Sequence, residues 1–209
     1  RKEDRRLVTG GGAYLADITL RGMLHATFVL SDFAHARIVA IDTSEASKLP
    51  GVIKIYIGED IKEKIKPMPQ PVVTPNLPAE YPTFWPLAVD KVKYHGEPVA
   101  LVIARDKYIA EDAVELIEIE YDDLTPVLNP ESAIAEDSPL VHQESESNEI
   151  FGMTFTGGLT EEEQKQNERE VDALFDQADH IISERFVVHR TGLTPMEPRG
   201  ALCDWNESD

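Results

Sequence analysis

A chain of 209 residues, 42% apolar and 28% charged, is long enough for one full hydrophobic core and part of a second, and it has an ordinary globular composition. Its 39 acidic against 20 basic residues, a formal net charge of −19, argue against nucleic-acid binding, which wants a basic surface. No apolar run approaches a membrane span, no signal-peptide pattern follows the charged start Arg1–Arg6, and the single Cys203 rules out an internal disulfide or a cysteine-held cluster, so a cytoplasmic protein without membrane association is expected.

In chain order, Thr9-Gly-Gly-Gly-Ala-Tyr-Leu-Ala-Asp17 reads as a tight turn, since no strand precedes the glycines as a phosphate loop would require. The β-branched and aromatic content of 22–30 predicts a strand, and 31–36 turns the chain. Residues 37–42 form a second strand, with Ile38 and Ala40 on one face and Val39 and Ile41 on the other. Asp42 or Thr43 caps a short helix over 44–49, which Pro50-Gly51 ends. A third strand spans 52–57, and Glu59-Asp60 precedes a short helix over 61–65.

Seven prolines between Pro67 and Pro86 exclude regular structure, and a long loop of this kind is usually functional or lies against a partner. Order resumes at 87–94, and His95-Gly-Glu-Pro98 turns the chain into 99–104, a nearly all-apolar strand with a central place in its sheet. A helix over 107–117, capped near Asp106, carries an apolar stripe of Ile109, Ala110, Ala113, Val114 and Ile117. Residues 118–121 alternate as a strand with one wet face. After a linker-like 129–148, a helix over 168–178 turns Val171, Leu174, Phe175 and Ala178 inward. Residues 180–188 and 195–205 read as strands of a further sheet, with Cys203 buried in the second.

Few residues invite chemistry. His25, His35, His95, His142, His180 and His189 show no metal-ligand spacing, and no nucleophile elbow occurs. His35 lies in a polar turn with Asp32 as a hydrogen-bond partner. The acidic runs at 144–149 and 161–170 read as solvated surface. The most unusual patch is 194–200, where Pro195 and Pro198 bracket Met196-Glu197 and interrupt strand pairing. Glu197 and Arg199 share a face of extended chain there and are placed to form an ion pair.

Several of these segments, in order, carry a family resemblance. They are 1–10 with Tyr14 and Asp17, Gly22-Met-Leu-His-Ala26, Ser31, Ala34-His-Ala-Arg-Ile38, Leu49-Pro-Gly-Val52, the run 87–100, Ala110-Glu-Asp-Ala113, Ile119-Glu-Tyr-Asp122 and Pro195-Met-Glu-Pro-Arg-Gly200. Together they resemble the N-terminal part of the molybdopterin-binding large subunit of the xanthine dehydrogenase, aldehyde oxidase and carbon monoxide dehydrogenase family. The resemblance implies an α+β fold: an a/b hammerhead domain of mixed sheet and helices over 1–130, an acidic linker and helix over 131–177, and the first strands of a molybdopterin-binding domain over 178–209. It further implies a parent enzyme that oxidises an aldehyde, an N-heterocycle or carbon monoxide with oxygen from water.

In such a parent the molybdopterin, in some members a cytosine dinucleotide, does the redox step, and electrons leave through 2Fe–2S clusters on a small subunit and FAD on a medium subunit. The family's catalytic glutamate belongs to a glycine-rich segment downstream of Arg199, so no residue here is assigned as catalytic or metal-binding. By resemblance Thr191, Glu197 and Arg199 lie near the site, with Glu197 serving structure and positioning. Thr191 stands where some members carry a glutamine, and a threonine cannot donate with that reach, a departure from a xanthine-type arrangement.

Three readings of the chain follow. It is a piece of a split hydroxylase that joins the remainder of its large subunit, a truncated non-catalytic fragment able to form a homodimer, or an independent small-molecule binding domain. In none does it catalyse alone.

Overall fold

The computed structural model describes residues 4–69, 82–150, 157, 160–188, 192, 194, 195, 197 and 199–205. They belong to two compact units, one of 23–154 and one joining 1–22 to 155–209. In chain order the elements are α1 (Asp4–Val8), a 3-10 turn (Leu15–Asp17), β1 (His25–Leu30), β2 (Ala36–Asp42), α2 (Ser44–Lys48), β3 (Val52–Ile57) and α3 (Gly58–Lys62). There follow β4 (Lys91–Val92), β5 (Pro98–Ala104), α4 (Lys107–Glu115), β6 (Glu118–Asp123), α5 (Pro130–Ala133) and α6 (Glu161–Asp176).

The larger unit holds two antiparallel three-stranded sheets. In the first, the apolar β5 runs between β1 and β3, the central place expected of it. One face of this sheet is covered by α2 and α4, where Ala46, Ile55, Val102, Ala104, Ala110 and Ala113 form a core. The predicted stripe of α4 faces that core, with Ile109, Val114 and Ile117 packed at its edge. The helix starts where Asp106 accepts a hydrogen bond from the Tyr108 amide at 2.8 Å. In the second sheet β2 lies between β4 and β6, over a core of Ala36, Ala88, Val92 and Val99.

Several expectations are corrected. In β2 a register shift between Ile38 and Ala40 leaves Val39 without a partner, and Val39 is 54% exposed. One extra residue reverses the side-chain parity, so Ile38 and Ile41 both pack on the same core. Helix α3 begins at Gly58 because the Asp60 carboxylate accepts the Ile57 amide hydrogen bond at 3.1 Å, which starts the turn earlier than the apolar pattern suggested. Only Lys91–Val92 of the segment 87–94 is strand.

In the smaller unit α6 starts seven residues before the expected 168, since 161 opens it. Thr160 Oγ1 accepts from the Glu163 amide while the Glu163 carboxylate accepts from the Thr160 amide, at 3.2 and 3.1 Å, and this reciprocal cap sets the start. Val171, Leu174 and Phe175 are exposed rather than inward. The described residues of 180–188 and 194–205 are exposed and carry no strand, and Cys203 is exposed as well. A strand exists only by pairing with a neighbouring backbone, and no described strand lies in this unit.

Candidate functional site

In the smaller unit, Gly10 adopts φ +75° and the Gly10 and Gly11 amides close α1 onto Leu7 and Arg6. The chain then enters the 3-10 turn at Leu15, where the Tyr14 amide donates to Asp17 at 3.0 Å. Against this turn sits the 194–200 patch. Glu197 Oε1 accepts a hydrogen bond from the Leu15 amide at 2.6 Å. Gly200 lies against the flexible end of the Leu15 side chain, which a Cβ there would displace. The carboxylate of Glu197 is thus engaged by Leu15 in place of the expected ion pair to Arg199. Arg199 is exposed, and Thr191 lies outside the described residues.

In the larger unit His95-Gly-Glu-Pro98 is the turn expected between its strands, and it is tied to Ser31. Gly96 takes φ +85°, its amide donates to Ser31 at 2.8 Å, and the Ser31 amide donates to the Glu97 carbonyl at 2.9 Å. The Glu97 side chain folds inward and accepts from the Lys93 amide. Burial raises its pKa above the ordinary glutamate value, and the Lys93 amide and ammonium offset only part of that. Tyr121 packs at a tilt against Phe33, with ring centroids 4.7 Å apart, and burial raises its phenol pKa. Ser31 offsets some of that cost without forming a hydrogen bond of ordinary geometry to the hydroxyl.

His35 is buried and pairs through Nδ1 with the Thr125 carbonyl at 2.8 Å, not with Asp32. The Leu124 amide returns a hydrogen bond to the His35 carbonyl, so the two segments lock each other in place. His142 packs edge-on to Phe84 at 5.4 Å, with Nδ1 3.6 Å from Glu144, which also accepts from the Thr83 amide at 3.3 Å. Burial lowers the His142 pKa, against the pull of Glu144. Lys91, only 5% exposed, likewise has its pKa lowered by burial first and by Lys93 second.

Sequence reasoning missed the burial of Lys91 and of the polar atoms of half-buried Tyr121 and His142. Lysine is almost always exposed, and nothing in a two-residue strand signals otherwise. These contacts fasten loops to strands. Among the described residues no group of three or more His, Cys, Asp or Glu could hold a metal ion.

The family model for the aldehyde oxidase and xanthine dehydrogenase a/b hammerhead domain matches residues 9–125. The chain belongs to this family. Its fold is accordingly α+β, a hammerhead of antiparallel sheets with packed helices.

Among curated relatives, it is 39% identical to the nicotine 6-hydroxylase large subunit of Paenarthrobacter nicotinovorans, over 99% of this chain and 24% of that protein. It is 34% identical to the carbon monoxide dehydrogenase large chain of Afipia carboxidovorans, over 94% of this chain and 24% of that one. A solved structure of Cu,Mo-CO dehydrogenase in its carbon monoxide reduced state superposes with a TM-score of 0.64 at 34% identity, covering 86% of this chain and 22% of that one. The chain therefore spans about a quarter of the length of the curated relatives it matches.

The described residues do not by themselves fit a molybdopterin. Of the three residues the resemblance places near it, Thr191 lies outside the described residues, Glu197 Oε1 is engaged by the Leu15 amide and Arg199 is exposed, so the described pair encloses no such group. No cofactor step is assigned to this chain. Among the described residues no helix is long and apolar enough to cross a membrane.

Proposed function

We propose that this chain is the N-terminal part of the large subunit of a molybdenum-dependent hydroxylase or dehydrogenase, and that it scaffolds the assembly without catalysing alone. In this reading 1–130 is the hammerhead domain, 131–177 an acidic linker and helix, and 178–209 the start of a molybdopterin-binding domain. The observation that carries it is the pairing of near-complete coverage of this chain with a quarter of each relative's length. The exposed apolar side chains Ile182, Phe186, Val188 and Trp205 support it, since such a run gains from burial against further sheet.

The parent enzyme would oxidise an aldehyde, an N-heterocycle or carbon monoxide with oxygen from water. The remainder of the large subunit, an FAD-containing medium subunit and a small subunit with 2Fe–2S clusters would be its partners. Molybdopterin would supply the redox chemistry, while this chain would hold the 194–200 patch beside the cofactor domain. Glu197 is then a positioning residue, with Thr191 and Arg199 nearby.

Native mass spectrometry with metal analysis on the protein from its own host tests this. The expected result is a complex containing molybdenum, iron and flavin, active with a heterocycle, an aldehyde or carbon monoxide. A metal-free chain or homodimer would overturn it.

A further inference from the structure

The described ends of the proline-rich segment meet beside a histidine. The Met68 amide donates to the Phe84 carbonyl at 2.8 Å, which brings those ends together. Phe84 lies edge-on to the His142 ring, with centroids 5.4 Å apart, and the Thr83 amide donates to Glu144 Oε1 at 3.3 Å, 61 residues further along the chain. The stretch that carries His142 is itself braced. Asn148 donates to the Ala133 and Pro139 carbonyls at 3.0 and 2.9 Å and accepts from the Val141 amide at 2.9 Å.

The His142 ring is enclosed without being paired. Its side chain is 14% exposed, and its buried Nδ1 has no hydrogen-bond partner among the described residues. Glu144 Oε1 stands 3.6 Å from that nitrogen, beyond hydrogen-bond reach. The charged groups facing the ring are Glu144 from its own segment, Lys91 of β4 and Lys93 just past β4. Burial is the largest influence and disfavours the imidazolium, the two lysines add to it, and Glu144 opposes it. A neutral ring fits this place, and a proton on it is expelled by both the burial and the lysines.

We propose that His142 is a pH-sensitive clasp: its neutral ring holds residues 83 and 84 against 142–144, and its protonation lets the two stretches part. The inference stands apart from the large-subunit reading above. In the opened state the ring takes a proton at the ordinary histidine value of about 6.5, and in the closed state it takes one less readily. The stability of the closed clasp is therefore fully present above about pH 6.5 and is lost as pH falls through the lowered closed-state value. At Glu144 burial is outweighed by amide hydrogen bonds and by His142 and Lys93, so its pKa is lowered and it keeps its charge where the clasp begins to open.

Hydrogen exchange of the intact protein, followed by NMR from about pH 7 to about pH 5, tests this. After correction for intrinsic rates, protection of the Thr83 and Met68 amides should fall by up to about ten-fold per pH unit below about pH 6.5, while the β5 amides keep theirs. His142→Phe keeps a ring beside Phe84 that cannot take a proton, and the same amides should then show protection independent of pH.

Wild-type protection that is flat or rises on acidification would overturn the proposal. So would a fall shared equally by β5, which would report global unfolding, or a fall that persists in His142→Phe. Should that variant not fold, the titration of the wild-type ring decides. A midpoint below the ordinary histidine value is expected, and one at or above it overturns the clasp.

Discussion

Glu197 and Leu15 meet across 182 residues of chain, with the Glu197 carboxylate accepting the Leu15 amide at 2.6 Å. The contact joins the Pro-Met-Glu-Pro-Arg-Gly patch to the turn that follows the three glycines. Two segments that carry the family resemblance are thus partners in space, and their residue types answer to one geometry. A carboxylate at 197 satisfies an amide of the 3-10 turn, and Gly200 lies against the Leu15 side chain of that turn.

The first prediction concerns this contact. Glu197→Ala should lower hydrogen-exchange protection of the Leu15 amide by roughly five- to ten-fold, the size of one modest hydrogen bond. Glu197→Gln keeps an acceptor and should lose less. Amide exchange followed by NMR checks both, and unchanged protection in Glu197→Ala would show that the contact has no energetic role.

Glu97 should make stability depend on pH. Its folded-state pKa is raised by burial, so the folded chain holds the proton more tightly than the unfolded one. The associated stability is present below the ordinary glutamate pKa and is lost as pH rises through the raised folded value. Glu97→Gln should flatten that fall and be at least as stable as wild type at neutral pH. Glu97→Ala leaves the Lys93 amide without its acceptor and should cost about 1–3 kcal/mol. Urea unfolding across the acid range separates the two variants.

Lys91 titrates in the opposite sense. Burial lowers its pKa, so the unfolded chain binds a proton that the folded chain releases more readily. Stability should rise as pH climbs from the lowered folded value toward the ordinary lysine value. Its buried Nζ has no hydrogen-bond partner among the described residues, and Lys91→Met should therefore stabilise the protein by about 1 kcal/mol. Thermal unfolding at neutral pH checks this, and a large loss of stability would show that the ammonium has a partner in solution.

Gly58 opens α3 directly against the Ala88 carbonyl, where an added Cβ would strike backbone. Gly58→Ala should destabilise by about 1–3 kcal/mol despite its better helix propensity, because backbone cannot yield as a side-chain tip does. Gly51 is a contrast. Its φ of +101° favours glycine, but the atom an added Cβ would meet is the flexible end of Ile109. Denaturant midpoints of Gly58→Ala and Gly51→Ala measure close approach against backbone conformation.

The elements readable in the chain were those whose pattern is local. The apolar run 99–104, the stripe of α4 and the Asp106 cap each encode themselves within a few residues, and each stands where it was expected. The Thr160–Glu163 cap is also local, but the acidic composition around it hid the start of α6. What depended on distant partners was not readable. The bulge at Val39 arises from pairing with β6, the partner of His35 is a carbonyl ninety residues away, and Glu197 finds Leu15 only after the chain has folded back.

Family membership was legible because it is carried by ordered short motifs, which survive in sequence without any knowledge of contacts. Strands over 180–205 were expected from composition, yet a strand is a relation between two backbones and composition states only one of them. The burial of Lys91 and of the polar atoms of Tyr121 and His142 was decided by tertiary structure for the same reason. A side chain's exposure depends on what packs over it, and that is a property of the assembled fold.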